Sequence, residues 1–292
     1  MLTSAPLIRV AVRALRVVPV GVMRAVARGA GIAAYWGARG RRRTILGNVA
    51  RLAPGESAAQ QRRLARRTFV NLLEASVDLF RLPTATREEL FRLVEIEGRE
   101  HLDAAVAHGK GVVAVTPHLG PYELGGAVLA AAGYRVHAMV EDIDPDTNAA
   151  LALYREATGM KLISRSRGLR PVLRALRERE IVLLVADRVV GEGSDGIELP
   201  FADGVRALPT GPAALALATG APVIVGHIAR NPSRASRYLI RLEPPIHPQS
   251  TGAPADDRLR LTSRISERLA SVVREHPDQW FVFQPEWKRR DA

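Results

Sequence analysis

Three observations predict an α/β fold: a largely parallel central sheet flanked by helices, with an N-terminal helical section ahead of it. From about residue 110, extended apolar runs rich in Val and Ile alternate with stretches of helical periodicity. Strands separated by helices of that length imply crossover units and hence parallel pairing. Before residue 93 no run reads as a convincing strand. The third observation is length, since 292 residues suffice for one substantial core.

In chain order, residues 1–92 read as helices with a turn at Pro54-Gly55, and Arg81-Leu-Pro-Thr84 reads as the exit from that section. The expected division is a helical, membrane-associating section over 1–92 and an α/β domain over 93–292, together one structural unit. The expected strands are Val112–Thr116, Arg135–Glu141, Lys161–Ser164, Ile181–Ala186, Pro222–Ala229, Tyr238–Leu242 and Trp280–Gln284. Helical patterns fall near 121–132, 146–158, 169–179, 211–219 and 257–275. There is no internal repeat and no low-complexity linker.

Composition excludes several chemistries. The chain has no cysteine, so disulfides, thiolate nucleophiles and cysteine-ligated metals are ruled out. The seven histidines never occur at His-x2-His, His-x3-His or His-Glu-x-x-His spacing, which argues against zinc. Gly191-Glu-Gly-Ser-Asp-Gly196 satisfies G-x-G-x-x-G but runs into an extended segment rather than the helix that would hold a pyrophosphate. Asp142-Ile-Asp-Pro-Asp146 opens like a calcium loop, yet Thr147 and Leu153 occupy its sixth and twelfth positions, so a turn and helix cap is the better reading. No G-x-S-x-G elbow and no P-loop is present.

Net charge is +12, and its distribution is uneven. Residues 1–73 hold fourteen arginines and one acid, Glu56, while the remainder is close to neutral. Such asymmetry points to a polyanionic surface as partner. Arg9, Arg13, Arg16, Arg24 and Arg28 share one helical stripe, with apolar residues around the rest of the circumference and Pro19 and Gly21 expected to kink the helix. This is the pattern of a helix lying in an anionic membrane interface. Aromatic residues interleaved with the arginines are too few to favour nucleic acid. The uncharged window 207–229 is broken by Pro and Gly, so a helix-turn-strand explains it better than a membrane span. Arginines recur through the N-terminus, against a signal peptide. The expectation is a peripheral protein.

The segment that carries chemistry is Gly111-Val-Val-Ala-Val-Thr-Pro-His118-Leu-Gly-Pro-Tyr-Glu123. A buried strand delivers His118 to its C-terminal tip and a helix starts just beyond, with Pro121 near its first turn. Ligands bind at strand tips in open α/β sheets, and an imidazole there, oriented by a carboxylate, serves as a general base toward a hydroxyl. Two carboxylates compete for the orienting role. Glu123 lies five residues on, about 140° aside on a continuous helix at ~100° per residue. Glu198, in the extended Ile197–Phe201 segment, approaches from a neighbouring loop and is preferred, with Glu123 supporting from the helix N-terminus. Arg188 at a strand tip is a candidate phosphate ligand, the alternative being a salt bridge to Asp187. Arg165, Gly120 and Tyr122 complete the candidate substrate-binding set. Backbone N–H groups near Gly120, or an arginine, are the candidates for oxyanion stabilisation. Trp280 and Trp287 read as packing residues.

With these residues in view, the chain resembles the lipid A lauroyltransferase branch of the lysophospholipid-acyltransferase-like superfamily, and within it the phosphatidylinositol mannoside acyltransferases. The resemblance runs over nearly the whole chain: Gly40-Arg-Arg-Arg-Thr-Ile-Leu-Gly-Asn-Val-Ala-Arg51, Thr68-Phe-Val-Asn71, Leu79-Phe-Arg-Leu-Pro83, His118-x4-Glu123, Asp187-Arg188, Leu208-Pro-Thr-Gly-Pro-Ala-Ala-Leu-Ala216 and His276-Pro-x-x-Trp280-x-x-x-Gln284-Pro-x-Trp287. It departs from the family pattern at Pro121 and Tyr122, where Asn and Trp are usual, and at Glu123, where Asp is common. The resemblance implies transfer of an acyl group from acyl-CoA to a sugar hydroxyl of a glycolipid at the cytoplasmic face of the membrane, with no metal, no cofactor and no nucleic acid. A lipid A-type or other phospholipid acceptor, or a non-catalytic anionic-lipid- or nucleic-acid-binding protein on the same scaffold, are the competing readings.

Overall fold

The computed structural model describes residues 17–140, 158–189, 196–233, 235–285 and 287. Three helices come first: α1 (Val20–Gly37), α2 (Arg39–Leu52) and α3 (Ala58–Arg81). Pro19 caps α1 rather than kinking it, and Arg9, Arg13 and Arg16 lie outside the described residues. A capping box of Ser57 and Gln60 starts α3, satisfying N–H groups the first turn leaves open. A short 3-10 turn at Leu82–Thr84, with Pro83 blocking continuation, ends this section as expected. Helix α1 packs closely on α3 because residue 31 is glycine: a Cβ there would sit 2.7 Å from the Val70 Cα.

The α/β part follows as α4 (Arg87–Leu93), β1 (Val94–Glu97), α5 (Arg99–Ala107), β2 (Val112–Thr116), α6 (Tyr122–Ala131), β3 (Val136–Val140), β4 (Lys161–Ser164), α7 (Arg170–Arg177), β5 (Ile181–Val185), β6 (Gly196–Pro200), β7 (Val205–Pro209), α8 (Gly211–Thr219), β8 (Val223–Arg230), β9 (Tyr238–Leu242) and α9 (Pro254–Glu275). Seven strands form one sheet in the order β1-β9-β8-β2-β5-β3-β4. Five run parallel, from β8 to β4, while β9 pairs antiparallel with β8 and takes β1 with it. Strand β2 is buried along its whole length, which is why it reads as a continuous apolar run. One core lies between the sheet and α7, α8 and α9, and the other between the sheet and α5 and α6.

One expectation needed correction. Trp280–Gln284 is not a strand; only Trp280 makes an isolated bridge, to Leu119. The segment crosses the turn after β2, where Gln279 O accepts from Gly120 N–H and His118 O accepts from Phe281 N–H. Its apolar residues therefore cover the strand tips instead of extending the sheet. The extended 197–201 segment becomes one arm of a separate antiparallel hairpin, β6–β7. The strand β1 and helix α5 had no clear signal in the sequence, being four and nine residues long. The pattern at 146–158 and most of the two discarded motif matches fall outside the described residues.

Candidate active site

The chain leaves β2, runs through β3 and β4 on one side, returns to insert β5 beside β2, and later places β8 on the other side of β2. The C-terminal tip of β2 is thus the point where the strand order reverses, the usual place for a ligand crevice. Register does the rest. Thr116 pairs with Val185, and His118 and Asp187 each stand two residues beyond that pair. Parallel neighbours of equal overhang bring the two side chains together.

Asp187 Oδ1 lies 2.5 Å from His118 Nδ1, and Oδ2 accepts from the His118 backbone N–H at 3.0 Å. Oδ2 also accepts from the Trp280 indole N–H at 2.6 Å. Asp187 is fully buried. Burial alone would raise its pKa, but the His118 charge and hydrogen bonds from His118 and Trp280 hold it down to about 2. A carboxylate that stays ionised fixes the imidazole with its proton on Nδ1 and its lone pair on Nε2. Arg188 Nε donates to that Nε2 at 3.4 Å. Burial pulls the His118 pKa down, yet the charge and hydrogen bond of Asp187 outweigh it, and the net shift is upward.

A third layer supports the dyad. The Arg206 guanidinium is completely buried and donates to the Asp187 carbonyl at 3.2 Å. It lies 4.9 Å from the Trp280 ring centre, 5.0 Å from Trp287 and 5.6 Å from Phe201. Cation–π contacts of this kind help to hold a desolvated charge. Trp287 in turn donates to Asn48 Oδ1 at 2.6 Å, and Asn48 donates to Val282 O, so α2 is tied to the segment that positions the site.

The orienting carboxylate is therefore Asp187, where sequence spacing favoured Glu198 and then Glu123. Glu198 occupies an exposed position of β6, opposite Ala207. Glu123 sits in the first turn of α6, hydrogen-bonded to Tyr122, and its charge acts on His118 without a hydrogen bond to the ring. Burial raises its pKa, opposed by hydrogen bonds from its own backbone and Tyr122 and by the His118 charge. Tyr122 stands edge-on to His118, ring centres 5.5 Å apart. Burial is the main cause that pushes its hydroxyl well above the ordinary range. Arg165 follows β4, three strands from β2, about 14 Å away at ~4.8 Å per strand. It is not brought to the dyad.

Gly120 has φ +58, and a Cβ there would fall 2.0 Å from Ile228 O, so only glycine makes this turn. Its N–H is already given to Gln279 O, as Leu119 N–H is to Pro117 O and Tyr122 N–H to Gly120 O. Among the described residues these amides are engaged within the turn, while Arg188 donates on the Nε2 side. No group of three His, Asp or Glu suited to a metal occurs among the described residues.

Asp187 and Trp280 were missed as site residues. Besides their places in the motifs of the resemblance, Asp187 carried one usable signal, its position two residues past a strand, the same as His118. Periodicity carried none for Trp280, because its role depends on a crossing that periodicity does not encode.

Comparison with known proteins gives the chain's relatives and family. The chain is 30% identical over 217 residues to a phosphatidylinositol mannoside acyltransferase of Mycobacterium tuberculosis, covering 72% of this chain and 66% of that protein. It thus spans slightly under two thirds of that relative's length. It is 25% identical over 245 residues to the protein of the same description from Mycolicibacterium smegmatis, 82% of this chain and 77% of the relative. A lipid A biosynthesis acyltransferase of Haemophilus influenzae is 20% identical over 241 residues, 82% and 73% of the two chains. The model of one family matches residues 4–289, nearly the whole sequence, and the chain belongs to that family, the bacterial lipid A biosynthesis acyltransferases.

Proposed function

We propose that this protein transfers a fatty acyl group from acyl-CoA to a hydroxyl of a membrane glycolipid, with His118 as general base. The observation that carries the reading is the buried Asp187 held against His118 Nδ1, which leaves Nε2 as a base at the strand-tip crevice. The acceptor O–H gives its proton to Nε2 as its oxygen attacks the thioester carbonyl carbon. Negative charge gathers on the carbonyl oxygen and is met by the Arg188 guanidinium. The tetrahedral intermediate then collapses, the C–S bond breaks, and the imidazolium returns the proton to the departing thiolate. The products are the acyl ester and free CoA thiol. A thioester is activated enough for neither metal nor covalent enzyme intermediate to be required.

A narrow apolar pocket beside Tyr122, floored by Ala114 and Ile228 and flanked by Gly125, Gly126 and Leu129 of α6, supports the acyl-chain part of this reading. For the acceptor, the phosphatidylinositol mannoside enzymes match at higher identity than the lipid A enzyme, and we take a phosphatidylinositol mannoside as the substrate. The exposed Val22, Val26 and Trp36 of α1 support action as a peripheral protein at the membrane. No helix among the described residues is long and apolar enough to cross a bilayer.

The test is turnover of palmitoyl-CoA with a phosphatidylinositol mannoside, and in parallel with an under-acylated lipid A precursor. His118→Ala should lose 10²–10⁴-fold in thiol release and ester formation. Retention of most activity by that variant would refute the general-base assignment, and preference for the lipid A precursor would refute the acceptor.

A further inference from the structure

A second pocket, of about 160 Å³, opens beside the start of α1 and is distinct from the strand-tip crevice. Its two walls differ in chemistry. Arg24, Arg81 and Asp78 form one, and Leu82, Leu90, Leu93 and Leu124 the other, with Val20 at the edge and Glu89 on α4. Arg24 spends one nitrogen on Asp78, at 2.6 Å, while its Nε is buried without a hydrogen-bond partner. Arg81 is half-buried and no carboxylate among the described residues forms an ion pair with it; one of its nitrogens donates to the Met23 sulfur at 4.0 Å. The acids at this place are already used. Asp78 serves Arg24, Arg237 and the Tyr238 hydroxyl, and Glu89 accepts from the Thr86 N–H that starts α4. Glu74, the remaining acid beside them, serves Arg28, Arg230 and Arg237. Five guanidiniums therefore stand against three carboxylates. Partly buried cations with unused N–H groups favour an anion that accepts several hydrogen bonds, and a phosphate is suited to the planar fork of arginine. The leucine wall favours a chain attached to that anion.

We propose that this pocket binds a phosphodiester lipid, its headgroup phosphate on Arg24 and Arg81 and the beginning of an acyl chain along Leu82, Leu90, Leu93 and Leu124. Val20 at the edge of the pocket opens α1 and directly follows the exposed Val17 and Val18 in the chain, so a lipid enters from the surface where α1 begins. The ligand is the acceptor itself or a resident bilayer phospholipid; both present the same phosphodiester and chain. The site does not depend on the acyl-transfer reading, because its occupancy is measured without turnover.

The full-length protein in neutral detergent is incubated with equal phosphatidylglycerol and phosphatidylcholine, and retained lipid is counted by native mass spectrometry. Wild type and His118→Ala should both retain phosphatidylglycerol about tenfold over phosphatidylcholine. Arg81→Gln should abolish that preference while melting at the wild-type temperature, and Leu93→Trp should reduce retention of both lipids. Arg258→Gln, which removes an exposed arginine of α9, should keep the preference. Displacement of phosphatidylglycerol by a phosphatidylinositol mannoside identifies the acceptor's seat; persistence identifies a resident lipid. Equal retention of the two lipids by wild type, or an unchanged preference in Arg81→Gln, overturns the proposal.

Discussion

At Asp187, three hydrogen bonds converge on a carboxylate with no access to solvent, and the pH behaviour of the site follows from them. In the proposed mechanism His118 works with a neutral Nε2. Because its pKa is raised, the acid limb of kcat/KM should lie above the ordinary histidine value of 6.5, with activity lost as pH falls through the limb. Asp187→Asn removes the charge that raises it, while burial and Arg188 continue to lower it. The limb should then move below 6.5, and kcat should fall about 10²-fold or more as the imidazole loses its fixed tautomer. Trp280→Phe keeps the ring that packs on Arg206 but deletes one donor to Asp187. A hydrogen bond to a charged group is worth about 1.5–3 kcal/mol, so roughly a tenfold loss of kcat is expected with KM for acyl-CoA little changed. A pH–rate series on the three proteins checks this, and coincident acid limbs would remove Asp187 from its orienting role.

At the scale of elements, strand positions were legible because β2, β5 and β8 are buried on both faces and their Val- and Ile-rich runs admit no other reading. Strand order was not. Nothing in the residues of β5 says that it inserts between β2 and β3, and without that neighbour relation Asp187 looks like a partner for Arg188 next to it. Glu198 was preferred because an extended segment seemed free to approach, whereas its backbone is spent on pairing with β7. Of the arginine stripe, Arg24 and Arg28 lie among the described residues. Arg24 and Arg28 are ion-paired to Asp78 and Glu74, two acids of α3 that are almost completely buried. Buried carboxylates need cations, and the helix carrying the arginines is what supplies them. The same acids bind Arg230 at the end of β8 and Arg237 just before β9, so the network fastens α1 to the sheet through α3. Glu74→Ala should leave three guanidiniums without their shared partner. Breaking a buried pair costs about 3–5 kcal/mol, and partial exposure of these arginines places the expected loss near the lower end. Urea unfolding of this variant against wild type measures it, and a change under about 1 kcal/mol would mean that α1 is held by packing alone.

For the whole molecule, the pairing of Arg24 and Arg28 with acids of α3 bears on how the protein meets a membrane. Beside those paired charges α1 exposes the apolar Val22, Val26, Ile32 and Trp36, with the exposed Val18 just ahead of the helix. Val22, Val26 and Trp36 recur at four and fourteen residues, which places them on one stripe at ~100° per residue. Exposed Arg39, Arg41 and Arg43 follow at the start of α2, and Arg42 lies over the Trp36 ring at 5.6 Å. An apolar ridge ending in a tryptophan beside arginines suits insertion into the headgroup boundary, with the charges left at the phosphates. Attachment should then survive salt better than a purely electrostatic contact, since the Debye length falls to about 3 Å at 1 M and apolar burial does not depend on it. Replacing Val22, Val26 and Trp36 together by serine removes about 1 kcal/mol per side chain or somewhat more, at roughly 25 cal/mol per Å². Affinity for phosphatidylglycerol vesicles should drop about 10²-fold or more, in low and high salt alike. Turnover of a short, detergent-dispersed acceptor should stay near wild type, because His118 and Asp187 belong to the sheet. Vesicle sedimentation and the dispersed assay on one protein preparation separate the outcomes. Undiminished sedimentation, or a loss that high salt erases, would return the membrane contact to the arginines.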